Sequence, residues 1–286
     1  MFSVIFPGQG SQLVGMGKDL YDKYSLVQSL FKEADDTLGF SISGLILDGP
    51  KEDLDLTENT QPAIFLISYA IFRLIKEEFN IDLNKANFFA GHSLGEYSAL
   101  ACAGALSFSD TLKILKIRGR AMQNSVPKGL GGMVAVLGSK IEIIESIIEE
   151  NKNKYECYIA NDNSDGQIVL SGNTNDLEKM MFDLKSANIK NIKLPVSAPF
   201  HCKLMNKATL VMEQEIQKIN FTEAQNILIS NVTGKEITNP DELKNLLVKQ
   251  IESRVRWRES VSLMINKGIN QFIEIGPGKV LSGLIK

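Results

Sequence analysis

The sequence predicts an α/β fold that carries a smaller inserted unit, and two observations support this. The apolar stretch Asn87 to Ala90 leads into Gly91-His92-Ser93-Leu94-Gly95 and then into an alanine-rich run. That order is typical of a strand, a sharp turn and a helix. Residues 129–195 then alternate short apolar and amphipathic segments in the order β-α-β-β-α-β. This order is that of a ferredoxin-like unit, so we predict a ferredoxin-like subdomain there.

Length and composition exclude several classes of protein. The 286 residues are 44% hydrophobic, enough for a large buried core. No run reaches the roughly 18 consecutive apolar residues of a membrane span. The N-terminus reaches Pro7-Gly8 too soon for a signal peptide, so we expect a cytoplasmic protein without membrane contact. Three widely spaced cysteines form neither a disulfide framework nor a metal-binding motif, and a net charge of −3 argues against nucleic-acid binding.

The elements before the serine begin with a short strand that ends in a glycine-containing loop, Gly8-Gln9-Gly10. The spacing of Gly10 and Gly15 is that of a phosphate loop, but Met16 stands where that motif has lysine, so we do not predict nucleotide binding. Three elements are predicted in this part of the chain: a strand from Ser3 to Phe6, a helical stretch from Asp19 to Leu38, and a helix that opens at Thr60-Gln61-Pro62, with Thr60 as N-cap, and runs to Phe79.

The elements after the serine follow from the same periodicities, with residues 129–132 as a hinge. We expect the C-terminal helix after Gly276-Pro277-Gly278 to be short or missing. The other predicted elements are helices at 96–105 and 111–125; a strand at 133–137, a helix at 140–150, strands at 155–160 and 167–171 joined by a turn at 161–166, a helix at 175–186 and a strand at 189–194; then a helix at 203–219, a strand at 227–230, helices at 241–251 and 258–266, and a strand at 271–275.

Ser93 is the candidate nucleophile. In a Gly-x-Ser-x-Gly turn the glycines permit a strained backbone that exposes the serine hydroxyl at the start of a helix. Free N–H groups and the positive dipole end of that helix suit an oxyanion formed beside the serine. The alternative is that Ser93 only caps the helix that begins near Leu94.

A serine nucleophile needs a base, and the chain has two histidines, His92 and His201. His92 is adjacent to Ser93, where the two side chains diverge, so His201 is the base by elimination; its alternative role is that of a structural histidine. The residues alone therefore predict a serine–histidine acyl-transfer site, with hydrolase and transferase both open. The candidates for the group that orients the histidine are Asp110, Asp162, Asp165, a backbone carbonyl, or an amide such as Gln250.

Six separated motifs give the chain a resemblance to malonyl-CoA:acyl carrier protein transacylases over nearly its whole length. The resemblance implies an α/β-hydrolase-like catalytic domain at 1–128 and 196–286, with the ferredoxin-like subdomain at 129–195 between its two parts. The motifs are Gly8-Gln9-Gly10-Ser11-Gln12, Thr60-Gln61-Pro62-Ala63, Gly91-His92-Ser93-Leu94-Gly95-Glu96, Arg118-Gly119-Arg120-Ala121-Met122-Gln123, Phe200-His201 and Gly276-Pro277-Gly278.

The resemblance also implies a role for individual residues. Ser93 would attack the malonyl thioester and His201 would act as base and then acid. Arg118 would bind the free malonyl carboxylate through a bidentate contact. The other implied positions are the backbone N–H groups of Gln9 and Leu94 as the oxyanion hole, Gln250 as the residue that steadies the histidine, and Gln61, Met122, Phe200 and Val280 at the substrate pocket.

The implied reaction is a ping-pong transfer of malonyl from malonyl-CoA to the phosphopantetheine thiol of acyl carrier protein, which supplies fatty acid elongation without a cofactor or metal. The alternatives are an esterase or thioesterase with the same serine and histidine, or a non-catalytic scaffold that binds the carrier protein. We expect a monomer. Because the carrier is acidic, the candidate docking residues are Lys116, Arg120, Lys203 and Lys207.

Overall fold

The structure is a computed structural model that describes residues 1–196 and 198–286. Its larger sheet has five strands, which are parallel except for one edge strand. Within the described residues, no helix is both long enough and apolar enough to cross a membrane. In spatial order the strands are Glu236–Ile237 (β8, the antiparallel one), Ile227–Ile229 (β7), Phe88–Gly91 (β2), Phe2–Phe6 (β1) and Gln271–Glu274 (β9).

Helices cover the larger sheet and bury its apolar strands. The longest, Thr57–Glu77 (α5), is apolar on most sides and lies in the core beside the helix that follows the serine. The other helices are Lys18–Lys23 (α1), Ser25–Leu38 (α2), Ile42–Asp48 (α3), Lys51–Leu54 (α4), Leu94–Cys102 (α6), Phe108–Asn124 (α7), Asn206–Gln217 (α10), Pro240–Gln250 (α11), Trp257–Asn266 (α12) and Val280–Ile285 (α13); single 3₁₀ turns span Leu83–Lys85 and Lys203–Met205.

A second, four-stranded antiparallel sheet has its own apolar core between one face and two helices. Its first and third strands lie at the centre, and its second and fourth strands form the edges. The elements in chain order are Gly131–Leu137 (β3), Ile141–Asn151 (α8), Cys157–Ser164 (β4), Gln167–Asn173 (β5), Thr174–Ser186 (α9) and Lys190–Lys193 (β6). The structure is thus a mixed α/β fold with one mainly parallel and one antiparallel sheet, and the order β-α-β-β-α-β is confirmed.

Side-chain and backbone contacts join the smaller sheet to α12 and the segment before it. The Asp162 amide N–H donates to the Val255 carbonyl at 2.9 Å, and the Val255 amide N–H donates to the Ala160 carbonyl at 2.8 Å. The fully buried Asp162 carboxylate also accepts hydrogen bonds from Arg258 Nε and Nη2, each at 3.0 Å. These bonds fix β4 against the chain segment that leads into α12.

Two element predictions are wrong in detail, and three short elements were missed. Helix α5 begins at Thr57, so Thr60 lies inside it and donates its hydroxyl to the Leu54 carbonyl at 2.5 Å instead of capping it. Strand β4 continues through Asn161 to Ser164, where we expected a turn, because pairing with β5 and the bonds to Val255 outweigh the turn preference of these residues. Sequence reasoning missed α3, α4 and β8, which are short.

Candidate active site

The Ser93 turn has the strained backbone that a nucleophile elbow requires. Ser93 has φ 55° and ψ −110°, a backbone conformation that residues other than glycine rarely adopt. The flanking glycines are needed for space: a Cβ on Gly91 would lie 1.9 Å from the Gly95 backbone, and one on Gly95 would lie 2.3 Å from the Phe6 carbonyl oxygen. The end of β1 therefore packs directly on the turn and the start of α6.

Ser93 and His201 form a hydrogen-bonded pair. Ser93 Oγ lies 2.8 Å from His201 Nε2, and His201 Nδ1 lies 2.9 Å from the main-chain carbonyl oxygen of Gln250. A carbonyl only accepts, so Nδ1 carries the proton and the unprotonated Nε2 accepts from the serine hydroxyl. Burial, and then the positive charge of Arg118, lower the pKa of His201 to about 3, which keeps the imidazole neutral and able to take a proton.

Arg118 brings a positive charge to Ser93. Its guanidinium is 0% exposed and donates from Nη1 to Gln61 Oε1 at 2.7 Å, and from Nη2 to Gln250 Oε1 at 2.8 Å and to Ser93 Oγ at 3.1 Å. All three acceptors are uncharged. Within residues 1–196 and 198–286, no carboxylate lies at ion-pair distance from it. A buried cation without an anion is costly, so the site favours a ligand with negative charge.

Buried polar groups hold the Ser93 turn through hydrogen bonds. The Asn231 side chain accepts from the Ser93 N–H at 2.7 Å and donates to the Gly91 carbonyl at 2.7 Å. The Glu96 carboxylate accepts from Gln250 Nε2 at 2.5 Å, and both of its oxygens lie 3.4 Å from the Asn231 N–H. Burial raises the pKa of Glu96 to about 7, although the Gln250 hydrogen bond opposes this shift.

Two backbone N–H groups at the turn remain free for a ligand. Leu94 is the first residue of α6, so its N–H has no acceptor in the preceding turn of helix. Gln9 lies in the loop after β1, beside Gly8, where a Cβ would come within 2.6 Å of the His92 carbonyl oxygen. In the part of the chain that the structure describes, neither N–H donates a hydrogen bond. Both residues line the cavity at Ser93, as an oxyanion hole requires.

A cavity of about 280 Å³ opens in front of Ser93 between the two sheets. One wall contains Ser93, Arg118 and His201, from the part of the chain that carries the larger sheet. The opposite wall contains residues of β4 and β5, among them Asn163 and Val169. Every pocket residue suggested by the resemblance reaches this cavity, although Val280 is half-exposed at its rim. These residues are Gln61, Met122, Phe200 and Val280.

The three acids that could have oriented the histidine are engaged elsewhere. Asp162 is bonded to Arg258, Asp110 accepts from Ser107 at the start of α7, and Asp165 is 89% exposed in its side chain. The Gln250 carbonyl makes the contact instead. Sequence reasoning missed Asn231 and Glu96, because no local pattern shows that a turn residue 138 positions later bonds the serine amide.

The suggested docking residues do not surround this cavity. Lys116, Arg120 and Lys207 line a separate groove of about 510 Å³ formed by α2, α7 and α10, and no residue lines both. On α7, Arg118 and Met122 face the active site, whereas Lys116 and Arg120 belong to the other groove. Lys203 lines neither, and its Nζ lies 5.9 Å from the centre of the Tyr158 ring.

Comparison with known proteins gives matches over the full chain. Residues 3–286 match the acyl transferase domain family. The chain is 41% identical over 286 residues to the malonyl CoA-acyl carrier protein transacylase of Haemophilus influenzae, covering 100% of this chain and 91% of that protein. The acyl-carrier-protein-S-malonyltransferase crystal structure from Bartonella henselae superimposes with a TM-score of 0.96 at 42% identity, covering 99% and 91% of the two chains.

A further match concerns a complex. It is the structure of a type II polyketide acyl carrier protein bound, in the holo form, to its malonyl-transacylase. That structure aligns with a TM-score of 0.95 at 38% identity, over 100% of this chain and 92% of that one.

Proposed function

The chain belongs to the acyl transferase family, and on that basis we propose that it transfers malonyl groups from malonyl-CoA to acyl carrier protein and so supplies malonyl-carrier protein for fatty acid synthesis. The observation that carries the proposal is the buried Arg118 guanidinium, which lies 3.1 Å from Ser93 Oγ and has no carboxylate partner among the described residues. An acyl group that ends in a carboxylate provides that partner at the reacting serine.

The first half-reaction forms a malonyl ester on Ser93. His201 Nε2 takes the hydroxyl proton as Ser93 Oγ attacks the thioester carbonyl carbon, and the Gln250 carbonyl stabilises the imidazolium through Nδ1–H. The N–H groups of Gln9 and Leu94 donate to the oxyanion of the tetrahedral intermediate. The intermediate collapses, the carbon–sulfur bond breaks, and the coenzyme A sulfur takes the proton from His201.

The second half-reaction repeats these steps with another thiol. The phosphopantetheine thiol of the carrier protein gives its proton to His201 and attacks the malonyl ester, and Ser93 leaves with that proton. Between the two steps, Arg118 holds the malonyl carboxylate in a cleft that includes Gln61, Met122, Phe200 and Val280. Exclusion of water from that cleft protects the ester from hydrolysis.

We also propose the domain organisation that the resemblance implies. Residues 1–128 and 196–286 form an α/β-hydrolase-like catalytic domain, and residues 129–195 form a ferredoxin-like subdomain. The nucleophile elbow after β2 supports the first assignment, and the separate apolar core and strand order of the smaller sheet support the second. One chain supplies every side chain of the proposed mechanism, which supports a monomeric enzyme.

Intact-protein mass spectrometry tests the proposed function. The protein incubated with malonyl-CoA gains one malonyl group, and Ser93→Ala gains none. Addition of holo acyl carrier protein then removes the group and produces malonyl-carrier protein. Steady release of malonate without a faster turnover on adding the carrier indicates a thioesterase instead, and the absence of any adduct indicates a non-catalytic carrier-binding protein.

A further inference from the structure

Glu96 is a buried acid for which the proposed mechanism has no use. It is 2% exposed and lies in the first turn of α6, three residues after the nucleophile. Among the residues that the structure describes, its carboxylate accepts hydrogen bonds from Gln250 Nε2 at 2.5 Å and from the Asn231 N–H at 3.4 Å from each oxygen, and from no others. Burial of a carboxylate is costly. These contacts therefore suggest that Glu96 has a role at the active site.

The orientation of the Gln250 side-chain amide depends on these donors and acceptors. Its Oε1 accepts from Arg118 Nη2 at 2.8 Å, while its Nε2 donates to Glu96 and, at 3.0 Å, to the Ser93 carbonyl. A flipped amide would direct Nε2 at the guanidinium, which has no acceptor, and Oε1 at an anion. Glu96, together with Arg118 and the Ser93 carbonyl, thus selects the orientation in which Gln250 holds the arginine.

Gln250 links three parts of the site. Its side chain contacts Arg118 and the Ser93 main chain, and its main-chain carbonyl holds His201 Nδ1. A shift of this one residue moves the carboxylate-binding group and the base together. We propose that Glu96 is a positioning residue, which fixes Gln250 and through it sets the orientation of Arg118 and His201 toward Ser93.

The charge on Glu96 provides a test. The charged and titratable groups that interact electrostatically with Glu96 are Arg118 and Tyr97. The neutral His201 is also near, because it is hydrogen-bonded to the main-chain carbonyl of Gln250. The pKa of Glu96 is raised to about 7 by burial, so protonation occurs in the assay range. A protonated carboxyl is itself a donor and competes with Gln250 Nε2. His201, with its pKa lowered to about 3, does not titrate in this range.

The experiment measures the single-turnover rate of Ser93 malonylation against pH for the full-length protein. For the wild type we expect the rate to fall as the pH drops below about 7, following one protonation. Glu96→Gln removes that dependence and lowers the rate at high pH by up to about a hundredfold, as expected when a catalytic group moves by 1 Å. Asp176→Asn is the matched control, because Asp176 lies in the first turn of α9, where its carboxylate accepts from the Asn173 side chain and the Glu156 N–H, and among the described residues it bonds no residue of the candidate site. Its rate and profile stay those of the wild type.

The inference rests on the proposed roles of Ser93, Arg118 and His201. The outcomes distinguish a failure of the proposed function from a failure of the role of Glu96. A wild type that forms no malonyl adduct overturns the proposed function. A Glu96→Gln variant with the wild-type rate and profile, or with a lower rate but the same acid limb, overturns only the role of Glu96. If this variant does not fold, Glu96→Asp decides: its carboxylate is retracted from Gln250, so an unchanged rate also rejects the role.

Discussion

At the scale of single residues, the protonation of His201 links the catalytic site to stability. The pKa of His201 is lowered from its ordinary 6.5 to about 3 by burial and by Arg118. The folded chain therefore keeps the ring neutral while the unfolded chain binds a proton below about pH 6.5, so stability is lost as the pH falls through this window toward 3. His201→Gln removes this loss.

The expected difference is measurable by urea unfolding. The free energy of unfolding of the wild type decreases more steeply than that of His201→Gln, by up to about 1.4 kcal/mol for each pH unit below 6.5. Measurements near pH 7 and pH 5 compare the two slopes. Parallel slopes would mean that the folded protein protonates His201 as readily as the unfolded chain does.

We expect Arg118 to determine which acyl group is transferred. Its guanidinium bonds Gln61 and Gln250 through two separate nitrogens, a geometry that a single ammonium group cannot reproduce. We expect Arg118→Lys to lower kcat/KM for malonyl-CoA by about tenfold to a hundredfold, the loss of one charge-assisted bond of about 1.5–3 kcal/mol. The rate with acetyl-CoA changes much less, so the preference for malonyl narrows.

The control for Arg118 is on the same helix. Arg120→Lys alters an exposed arginine that pairs with Glu58, and it leaves both rates unchanged. Equal losses with malonyl-CoA and acetyl-CoA in Arg118→Lys would assign the arginine to the serine and histidine rather than to the carboxylate.

Sequence reasoning found the residues that lie in recognisable local patterns. Ser93 stands in a glycine-flanked turn, and only His201 was left as its base. The partners that hold them are distant in sequence and ordinary in type. Asn231 bonds the Ser93 amide, and the Gln250 carbonyl contacts the histidine. Residue patterns left the histidine partner open between three carboxylates, a backbone carbonyl and an amide such as Gln250, and only the resemblance singled out Gln250. Only the tertiary packing of α6, α7 and α11 brings these groups together.

At the scale of elements, the strand–turn–helix unit depends on close backbone packing. A Cβ on Gly91 would lie 1.9 Å from the carbonyl carbon and oxygen of Gly95, and backbone atoms at the start of α6 cannot move aside. We expect Gly91→Ala to prevent accumulation of folded protein. Gly283→Ala is the control, because nothing lies within 4 Å of its Cβ and the residue is helical. Soluble yield and melting temperature report the result, and a folded Gly91→Ala protein would contradict this account of the turn.

The contacts that join the smaller sheet to α12 give a second prediction at this scale. Asp162 on β4 is fully buried and binds Arg258 on α12, and its removal leaves that arginine without its main partner. We expect Asp162→Ala to lower the free energy of unfolding by about 1–3 kcal/mol, the cost of leaving the donors of a partly buried arginine without their acceptor. Glu145→Ala removes the partner of Arg254, a carboxylate that is 49% exposed, and costs no more than about 1 kcal/mol. Similar losses in chemical denaturation would rule out a special role for the Asp162 contact.

The same contacts explain which elements could be predicted. Helices and strands with strong periodicity, such as α2 and β5, agree with the sequence pattern. The end of β4 consists of turn-forming residues, and only its pairing with β5 and its bonds to Val255 make it a strand. Local preference is weak evidence where tertiary hydrogen bonds are available to satisfy the backbone.

At the scale of the whole molecule, the cleft lies where the two sheets meet, so its opening determines where a carrier protein can deliver its thiol. The expected docking residues Lys116, Arg120 and Lys207 line a different groove. Two other exposed lysines precede residues that line the cleft: Lys193 comes before Leu194, and Lys279 before Val280. We expect an acidic carrier that reaches Ser93 through this opening to be attracted by those two charges.

Charge reversal tests this docking site. We expect Lys193→Glu and Lys279→Glu each to raise KM for holo acyl carrier protein by about fivefold, equivalent to roughly 1 kcal/mol of a salt-screened contact. Lys116→Glu, in the other groove, is the matched control and leaves KM unchanged. Free pantetheine as the acceptor isolates the chemistry, because its transfer rate should be equal in all three variants. A raised KM in Lys116→Glu alone would instead direct the carrier to the α2, α7 and α10 groove, and would require its thiol to reach Ser93 by another path.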